Sequence, residues 1–133
     1  MIKVVLDTNI LVSALINPYG SSCNIVNLVL RGDILLCWDN RLMQEYRQVL
    51  KRDKFSFDPQ SIDDVLDFIE AEGQEVSPKS LGIKLPDMSD IKFLEVAVES
   101  SATYLITGNL KHYPLNPPKG LKIVVPARFL EIF

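Results

Sequence analysis

The apolar positions of the chain fall into two kinds of pattern. Short continuous runs, rich in β-branched residues, are each bounded by polar or turn-forming residues, which is typical of strands buried on both faces of a sheet. Longer stretches repeat their apolar residues every three or four positions, as helices with one buried face do. The chain therefore predicts strands that alternate with helices.

The segments can be placed from these patterns and from the turn residues between them. Four runs predict core strands and one shorter segment predicts an edge strand: residues 2–6, 34–38, 104–106 and 121–125, and residues 74–76. Six segments predict helices: 10–16, 21–31, 40–52, 60–72, 89–100 and 126–133. Residues 77–86 contain two prolines and one glycine and are predicted to be irregular.

Alternating strands and helices favour a parallel sheet that is covered on both faces. We expect an α/β fold with three layers, α/β/α, around a central, mostly parallel sheet of four to five strands. The chain has 133 residues and no linker or repeat, which predicts one domain over residues 1–133. The N-terminus resembles a strand rather than a signal peptide, and no apolar run approaches the roughly 20 residues of a membrane span, so we expect a cytoplasmic protein without membrane contact.

The charge and the cysteine content limit the functions that the chain can have. The chain has 17 acidic and 14 basic residues, a net charge of −3, which is unlike proteins that hold nucleic acid through bulk positive charge. A cluster of acids that binds a divalent metal would change the charge that a phosphate meets. Cys23 and Cys37 match no metal-ligand spacing and are predicted to be buried free thiols.

The predicted topology brings several acids to one edge of the sheet. Asp7 directly follows the first strand, and Asn109 follows the strand at 104–106. Because parallel strands end at the same edge, these residues should lie near each other. Glu45, in the second turn of the third helix, and Asp90, at the start of the fifth helix, belong to the same edge. Asp87 lies in the loop just before Asp90.

Carboxylates gathered in one cleft repel each other unless a cation lies between them. Oxygen ligands of this kind suit Mg²⁺ or Mn²⁺. Such a metal can activate water and neutralise charge during attack on a phosphodiester. The sequence therefore predicts a metal site built from Asp7, Glu45 and Asp90, with Asp87 as an additional ligand.

Each of these residues also has an ordinary structural interpretation. Asp7, Thr8 and Asp90 are residue types that cap helices. Glu45 can be a solvated helix residue paired with a base, and Asn109 can serve a turn.

His112, the only histidine, is interpreted as a solvated loop residue. A basic run near Glu45 is interpreted as a solvated helix face: Arg41, Arg47, Lys51, Arg52 and Lys54.

Several short motifs, taken in order, resemble those of one family. The matching stretches are 4–9 with 11–14, 44–46 with 49–50, Asp87 and Asp90 with 92–94 and Ala97, and 104–109. In these motifs the chain resembles PIN domains, and in particular the VapC-type ribonucleases of toxin–antitoxin pairs. The resemblance covers essentially the whole chain.

The resemblance implies a Mg²⁺- or Mn²⁺-dependent endonuclease that acts on RNA. It assigns the acidic positions to Asp7, Glu45 and Asp90, with Asp87 as a possible further ligand. Thr8 or Asn9 would position a water or a ligand carboxylate, with Thr107 in a supporting position. The family also implies frequent homodimers and, for true toxins, an antitoxin protein that blocks the cleft.

Asn109 departs from the family, which usually has aspartate after Thr-Gly. An amide oxygen can still coordinate a metal or orient a water, but it carries no charge. The first hypothesis is an active ribonuclease with Asn109 among its catalytic residues. Two alternatives stay open. One is a catalytically weak or inactive PIN module that binds RNA or a protein partner. The other is a phosphatase-like enzyme with Asp7 as nucleophile, which Asn9 disfavours because such enzymes usually have aspartate there.

Overall fold

Five parallel strands form the central sheet of the computed structural model, which describes residues 1–133. The strands are β1 (Lys3–Leu6), β2 (Leu35–Trp38), β3 (Gln74–Glu75), β4 (Tyr104–Ile106) and β5 (Lys122–Val124). Their order across the sheet is β3-β2-β1-β4-β5. Every neighbouring pair is parallel, so the predicted strand number is confirmed and the sheet is parallel throughout.

Six α-helices flank the sheet and complete a three-layer α/β/α fold, as predicted. They are α1 (Thr8–Ile16), α2 (Ser21–Leu30), α3 (Asn40–Leu50), α4 (Pro59–Glu72), α5 (Ile91–Glu99) and α6 (Pro126–Ile132). Short 3₁₀ turns cover Asp53–Phe55, Met88–Asp90, Leu110–His112 and Pro118–Gly120. None of the helices combines the length and the apolar character that a membrane crossing requires.

The fifth helix begins later than the sequence predicts. Residues Met88–Asp90 form a 3₁₀ turn, and the α-helix starts at Ile91. The Asp87 carboxylate accepts hydrogen bonds from the Ser89 N–H at 3.0 Å and the Ser89 hydroxyl at 2.7 Å, which holds the chain in a tight turn here. The helix that was predicted to start near Ser89–Asp90 therefore begins with a 3₁₀ turn and becomes α-helical at Ile91.

The core lies on both faces of β1, the central strand. Val4, Val5 and Leu6 are completely buried, which is why this strand reads as a continuous apolar run. Tyr46 of α3 is also fully buried, and its hydroxyl donates a 2.6 Å hydrogen bond to the Leu6 carbonyl. This bond fixes α3, and with it Glu45, beside the end of β1.

Gly73 joins α4 to the edge strand β3 in very little space. A Cβ atom at this position would lie 2.6 Å from the backbone oxygens of both Ile69 and Leu36. The φ angle of Gly73 is −79°, which any residue can adopt. Glycine is required here because the neighbouring backbone lies too close for a side chain, and not because of an unusual conformation. The contact sets β3 against β2.

The irregular segment 77–86 is tied to the helices by Glu95, a buried residue of α5. Glu95 accepts hydrogen bonds from the Leu81 N–H at 2.9 Å and from the Arg41 guanidinium at 2.8 Å. Arg41 also pairs with Asp39 at 2.8 Å. Arg41 is thus a bridge between α3 and α5, while its side chain stays exposed, which agrees with the interpretation of a solvated helix face.

Both cysteines are free, as predicted. Cys37 is buried in β2, and burial raises the pKa of its thiol. Cys23 is only half-buried, so the expectation of full burial is wrong for this residue.

Candidate active site

Asp7 reaches the carboxyl edge of the sheet at the end of β1. It occupies the residue before α1, but its side chain does not cap that helix. Its Oδ2 atom accepts hydrogen bonds from the Thr107 hydroxyl at 2.9 Å and the Tyr113 hydroxyl at 3.2 Å. Only 7% of Asp7 is exposed. The alternative of a simple helix cap is therefore wrong, since the carboxylate turns toward the loop after β4.

Glu45 lies at the same edge, held by two donors from other elements. The Thr8 hydroxyl at the start of α1 donates to its Oε2 atom. The Lys92 ammonium of α5 lies 2.8 Å from its Oε1 atom. Lys92 also donates to the Ser89 carbonyl, which fixes it across the cleft. Three helices thus meet at this one carboxylate.

Asp90 is a buried carboxylate near Asp7. Burial and the negative charge of Asp7 raise its pKa above the ordinary value, although His112 partly opposes this rise. The Nδ1 atom of His112 lies 2.9 Å from Asp90 Oδ2. His112 is the one partner that reaches this buried oxygen, since no backbone N–H and no other side chain donates to it. Asp90 is therefore held at the site, but its carboxylate has fewer hydrogen-bond donors than it can accept.

Asn109 links the two sides of the site. Its N–H donates to the Thr107 hydroxyl at 3.1 Å, and Thr107 in turn donates to Asp7. Its side-chain nitrogen lies 2.8 Å from the Nε2 atom of His112, which contacts Asp90. A continuous chain of contacts therefore runs from Asp7 through Asn109 to Asp90.

The structure brings most of the predicted site residues together, but not all. Six lie in the two groups of contacts just described: Asp7, Thr8, Glu45, Asp90, Thr107 and Asn109. Asp87 is exposed, and its hydrogen bonds from the Ser89 hydroxyl and N–H lower the pKa of its carboxyl. Asn9 is exposed on α1, outside both groups.

Three residues of the site were not predicted from the sequence. The interpretation of His112 as a solvated loop residue is wrong, because the 3₁₀ turn at Leu110–His112 places its ring against Asp90. Tyr113 follows it and is buried, and burial and the charge of Asp7 raise its pKa. Lys92 carried a usable signal, since it lies two residues after Asp90 in the first turn of α5.

The donor set of the site fits a hard divalent cation only in part. Asp7 and Asp90 are buried carboxylates of like charge, and only His112 reaches the buried Oδ2 atom of Asp90. Such a pair gains from a cation. As the side chains stand, however, no three acid, histidine or cysteine groups are close enough together to bind one ion. Glu45 can become a ligand only if it exchanges its contact with Lys92.

We predict that Asp90→Asn stabilises the metal-free protein at pH 7. The raised pKa of Asp90 means that the folded state holds this proton more tightly than the unfolded chain. The free energy of unfolding therefore falls as the pH rises from the pKa of Asp90 in the unfolded chain through its pKa in the folded state. Above that range the ionised carboxylate continues to destabilise the folded state. The neutral amide removes this loss. Urea unfolding across pH should show the gain at pH 7 and its disappearance in acid; a less stable variant at pH 7 would contradict it.

Sequence and structure comparisons place this chain in a family. The PIN domain family matches residues 3–111, so the chain belongs to the PIN domain family. The uncharacterized protein MJ1680 of Methanocaldococcus jannaschii is 30% identical over 143 aligned positions, which cover 99% of this chain and 92% of the relative.

A solved structure shares the fold. VapBC2 from Rickettsia felis, bound to a DNA fragment from their promoter, has a TM-score of 0.58 and 19% identity to this chain. The match covers 93% of this chain and 98% of the other. The resemblance to PIN domains, predicted from the motifs, is confirmed by the family match, and the fold is shared with VapBC2.

Proposed function

We propose that this PIN domain is a Mg²⁺- or Mn²⁺-dependent endoribonuclease that hydrolyses RNA phosphodiester bonds. The observation that carries the proposal is the pair of buried, like-charged carboxylates of Asp7 and Asp90 at the carboxyl edge of the sheet. Glu45 is linked through Lys92 to the turn that carries Asp90. Buried acids that repel each other destabilise a fold, so their presence favours a functional role over a structural one.

In this proposal Asp7 and Asp90 hold the cation, with Glu45 as the third carboxylate. The bound cation would polarise the phosphodiester and lower the pKa of an attacking water. Thr107 and Tyr113 both donate to the Oδ2 atom of Asp7, which orients the carboxylate and leaves its Oδ1 atom free.

The remaining residues act around this centre. Lys92 and Thr8 hold Glu45, and Asn109 orients a water or a ligand through its amide. Asp87 can join as a ligand through its Oδ2 atom, since both hydrogen bonds from Ser89 go to Oδ1. Asn9 retains its proposed role of positioning water.

Cleavage of a labelled single-stranded RNA by the purified protein tests the activity. We expect internal cuts in Mg²⁺ or Mn²⁺ and none when the metal is chelated. Intact RNA in both metals would contradict the proposal, and cleavage that persists in chelator would contradict the role of the metal.

We further propose that the protein is the cytoplasmic toxin of a toxin–antitoxin pair and forms homodimers. Support comes from the shared fold with VapBC2, which was solved with promoter DNA. If a neighbouring open reading frame encodes an antitoxin, its product should copurify with this chain and inhibit cleavage. Light scattering of the purified chain should give the mass of a dimer.

The second candidate function is a catalytically weak PIN module that binds RNA or a protein, and Asn109 favours it. We predict that Asn109→Asp tightens Mn²⁺ binding by roughly 10-fold, because it adds a charge to the ligand set. Calorimetry measures this, and Asn27→Asp on the exposed face of α2 is the control for added charge. If neither the parent nor Asn109→Asp binds millimolar Mn²⁺, the module is the better description.

A further inference from the structure

Lys92 is a lysine that the fold holds beside the acids of the candidate site. Its side chain is only 15% exposed, and its ammonium lies 2.8 Å from the Oε1 atom of Glu45. The ammonium also donates to the Ser89 carbonyl and lies 5.0 Å from the centre of the Phe93 ring. Every other lysine except Lys3 is exposed, and Lys3 begins β1 at the opposite edge of the sheet. Lys92 is therefore the one lysine that is held in a fixed place at this edge.

The position of Lys92 is unfavourable for a purely structural lysine. It is the second residue of α5, where the helix dipole disfavours a positive charge. Removing an ammonium from water has a further cost, which its partners must offset. Its ion pair with Glu45 joins α3 to α5, but the Arg41–Glu95 ion pair at 2.8 Å already joins these two helices. These observations favour a functional role for Lys92.

The charges of the site indicate what that role is. The carboxylates of Asp7, Glu45 and Asp90 outnumber the single ammonium of Lys92, so the metal-free site repels a phosphate. The net charge of the chain, −3, adds to this repulsion. While Lys92 is paired with Glu45, that carboxylate neutralises it. Lys92 can therefore attract a phosphate only after the charge of Glu45 has been taken up by another cation.

Resting on the ribonuclease activity proposed above, we propose that Lys92 binds a backbone phosphate of the RNA, and that Glu45 holds its ammonium until this carboxylate binds the metal. The lysine stem is flexible, so the ammonium can leave Glu45 while the backbone of α5 stays in place. An ammonium suits a phosphate oxygen, and such a contact positions the strand without reading its sequence. Lys92 thereby couples metal binding to RNA binding.

The test frees Lys92 in the absence of any metal. Glu45→Gln replaces the carboxylate by a neutral amide of the same shape, and a chelator in the buffer prevents metal-dependent cleavage. Asp7→Asn is the matched control, because it removes one negative charge from the same site while Lys92 keeps its contact with Glu45. Fluorescence anisotropy measures the binding of a labelled single-stranded RNA over a range of salt concentrations.

We expect Glu45→Gln to bind the RNA about 10-fold more tightly than the parent in chelator, and Asp7→Asn to gain no more than about 2-fold. The salt dependence of binding by Glu45→Gln should become steeper by about 0.7 in the slope of log K against log salt, as one added phosphate contact on a single strand requires. In the Glu45→Gln background, Lys92→Met should abolish the gain and Lys92→Arg, which retains the charge, should keep it.

Calorimetry with Mn²⁺ alone tests the competition between Lys92 and the metal for Glu45. Lys92→Met should bind Mn²⁺ about 5-fold more tightly than the parent, because Glu45 no longer has an ammonium to exchange. Lys79→Met removes an exposed lysine of the irregular segment 77–86 and should bind Mn²⁺ as the parent does. Equal or weaker Mn²⁺ binding by Lys92→Met would contradict the competition.

Equal RNA binding by Glu45→Gln with and without Lys92→Met would overturn the phosphate contact, as would a gain in Asp7→Asn as large as that in Glu45→Gln. Failure of the ribonuclease proposal has a different signature, namely RNA that stays intact when the parent is incubated with Mn²⁺. A chain that gains RNA binding through Lys92 but does not cut RNA would thus retain the phosphate site and lose the enzyme.

Discussion

Asp7→Asn is expected to reduce the rate of RNA cleavage by at least roughly 100-fold, since even residues that only support metal ligands cost 10- to 100-fold when changed. The amide keeps an oxygen that can accept from Thr107 and Tyr113, so the hydrogen bonds that hold position 7 can survive. What is lost is the negative charge, which the proposed cation needs. The rate should be measured with labelled RNA in excess Mn²⁺.

Asp33→Asn is the matched control for this substitution. Asp33 is half exposed and pairs with Arg31 at 3.3 Å, at the end of α2 that faces away from the acidic site. It removes the same charge and should leave cleavage unchanged. If Asp7→Asn cuts RNA as fast as the parent while its thermal unfolding is normal, Asp7 is not a ligand and the site assignment fails.

Gly73→Ala is expected to destabilise the fold by about 2–3 kcal/mol and to lower Tm by roughly 10 °C. The added methyl would lie 2.6 Å from two backbone oxygens, those of Ile69 and Leu36, and neither can rotate away as a side chain can. To make room, α4 or β2 must shift. Chemical denaturation measures the loss of free energy.

The same substitution at Gly108 provides the comparison. A Cβ atom there would meet no heavy atom within 4 Å. Gly108→Ala should leave the free energy of unfolding within about 0.5 kcal/mol of the parent, or raise it slightly by restricting the unfolded chain. If Gly73→Ala unfolds at the same denaturant concentration as Gly108→Ala, the close approach at the β3 junction does not constrain the fold.

The periodic segments were the predictable part of the fold. The apolar run at residues 4–6 and the helical period around Tyr46 identify β1 and α3 because burial in a layered fold dictates both patterns. The 3₁₀ turn at Met88–Asp90 was not predicted, since it depends on a local hydrogen bond from Ser89 to Asp87. The packing of Gly73 against Leu36 joins distant segments, and no local pattern encodes it.

The candidate site also has a part that the sequence predicts and a part that it does not. The placement of Asp7 and Asn109 at one edge follows from strand direction, because the carboxyl ends of parallel strands share an edge, and Glu45 and Asp90 were predicted from the helices that begin near that edge. His112 and Tyr113 lie in an aperiodic loop, and their contacts with Asp90 and Asp7 depend on how that loop turns back. Such residues can be assigned to the site only when the three-dimensional path of the loop is known.

The pairing of β1 with β4 has a consequence for biosynthesis. Asp7 leaves the ribosome early, but its hydrogen-bond partner Thr107 is 100 residues further along the chain. Folding of such long-range parallel pairs is slow and late. If the chain is the nuclease that we propose, it cannot assemble its active site while most of it is still being made, and a nascent chain truncated before β4 should cut no RNA. The messenger that encodes the protein would thereby be spared during its own translation.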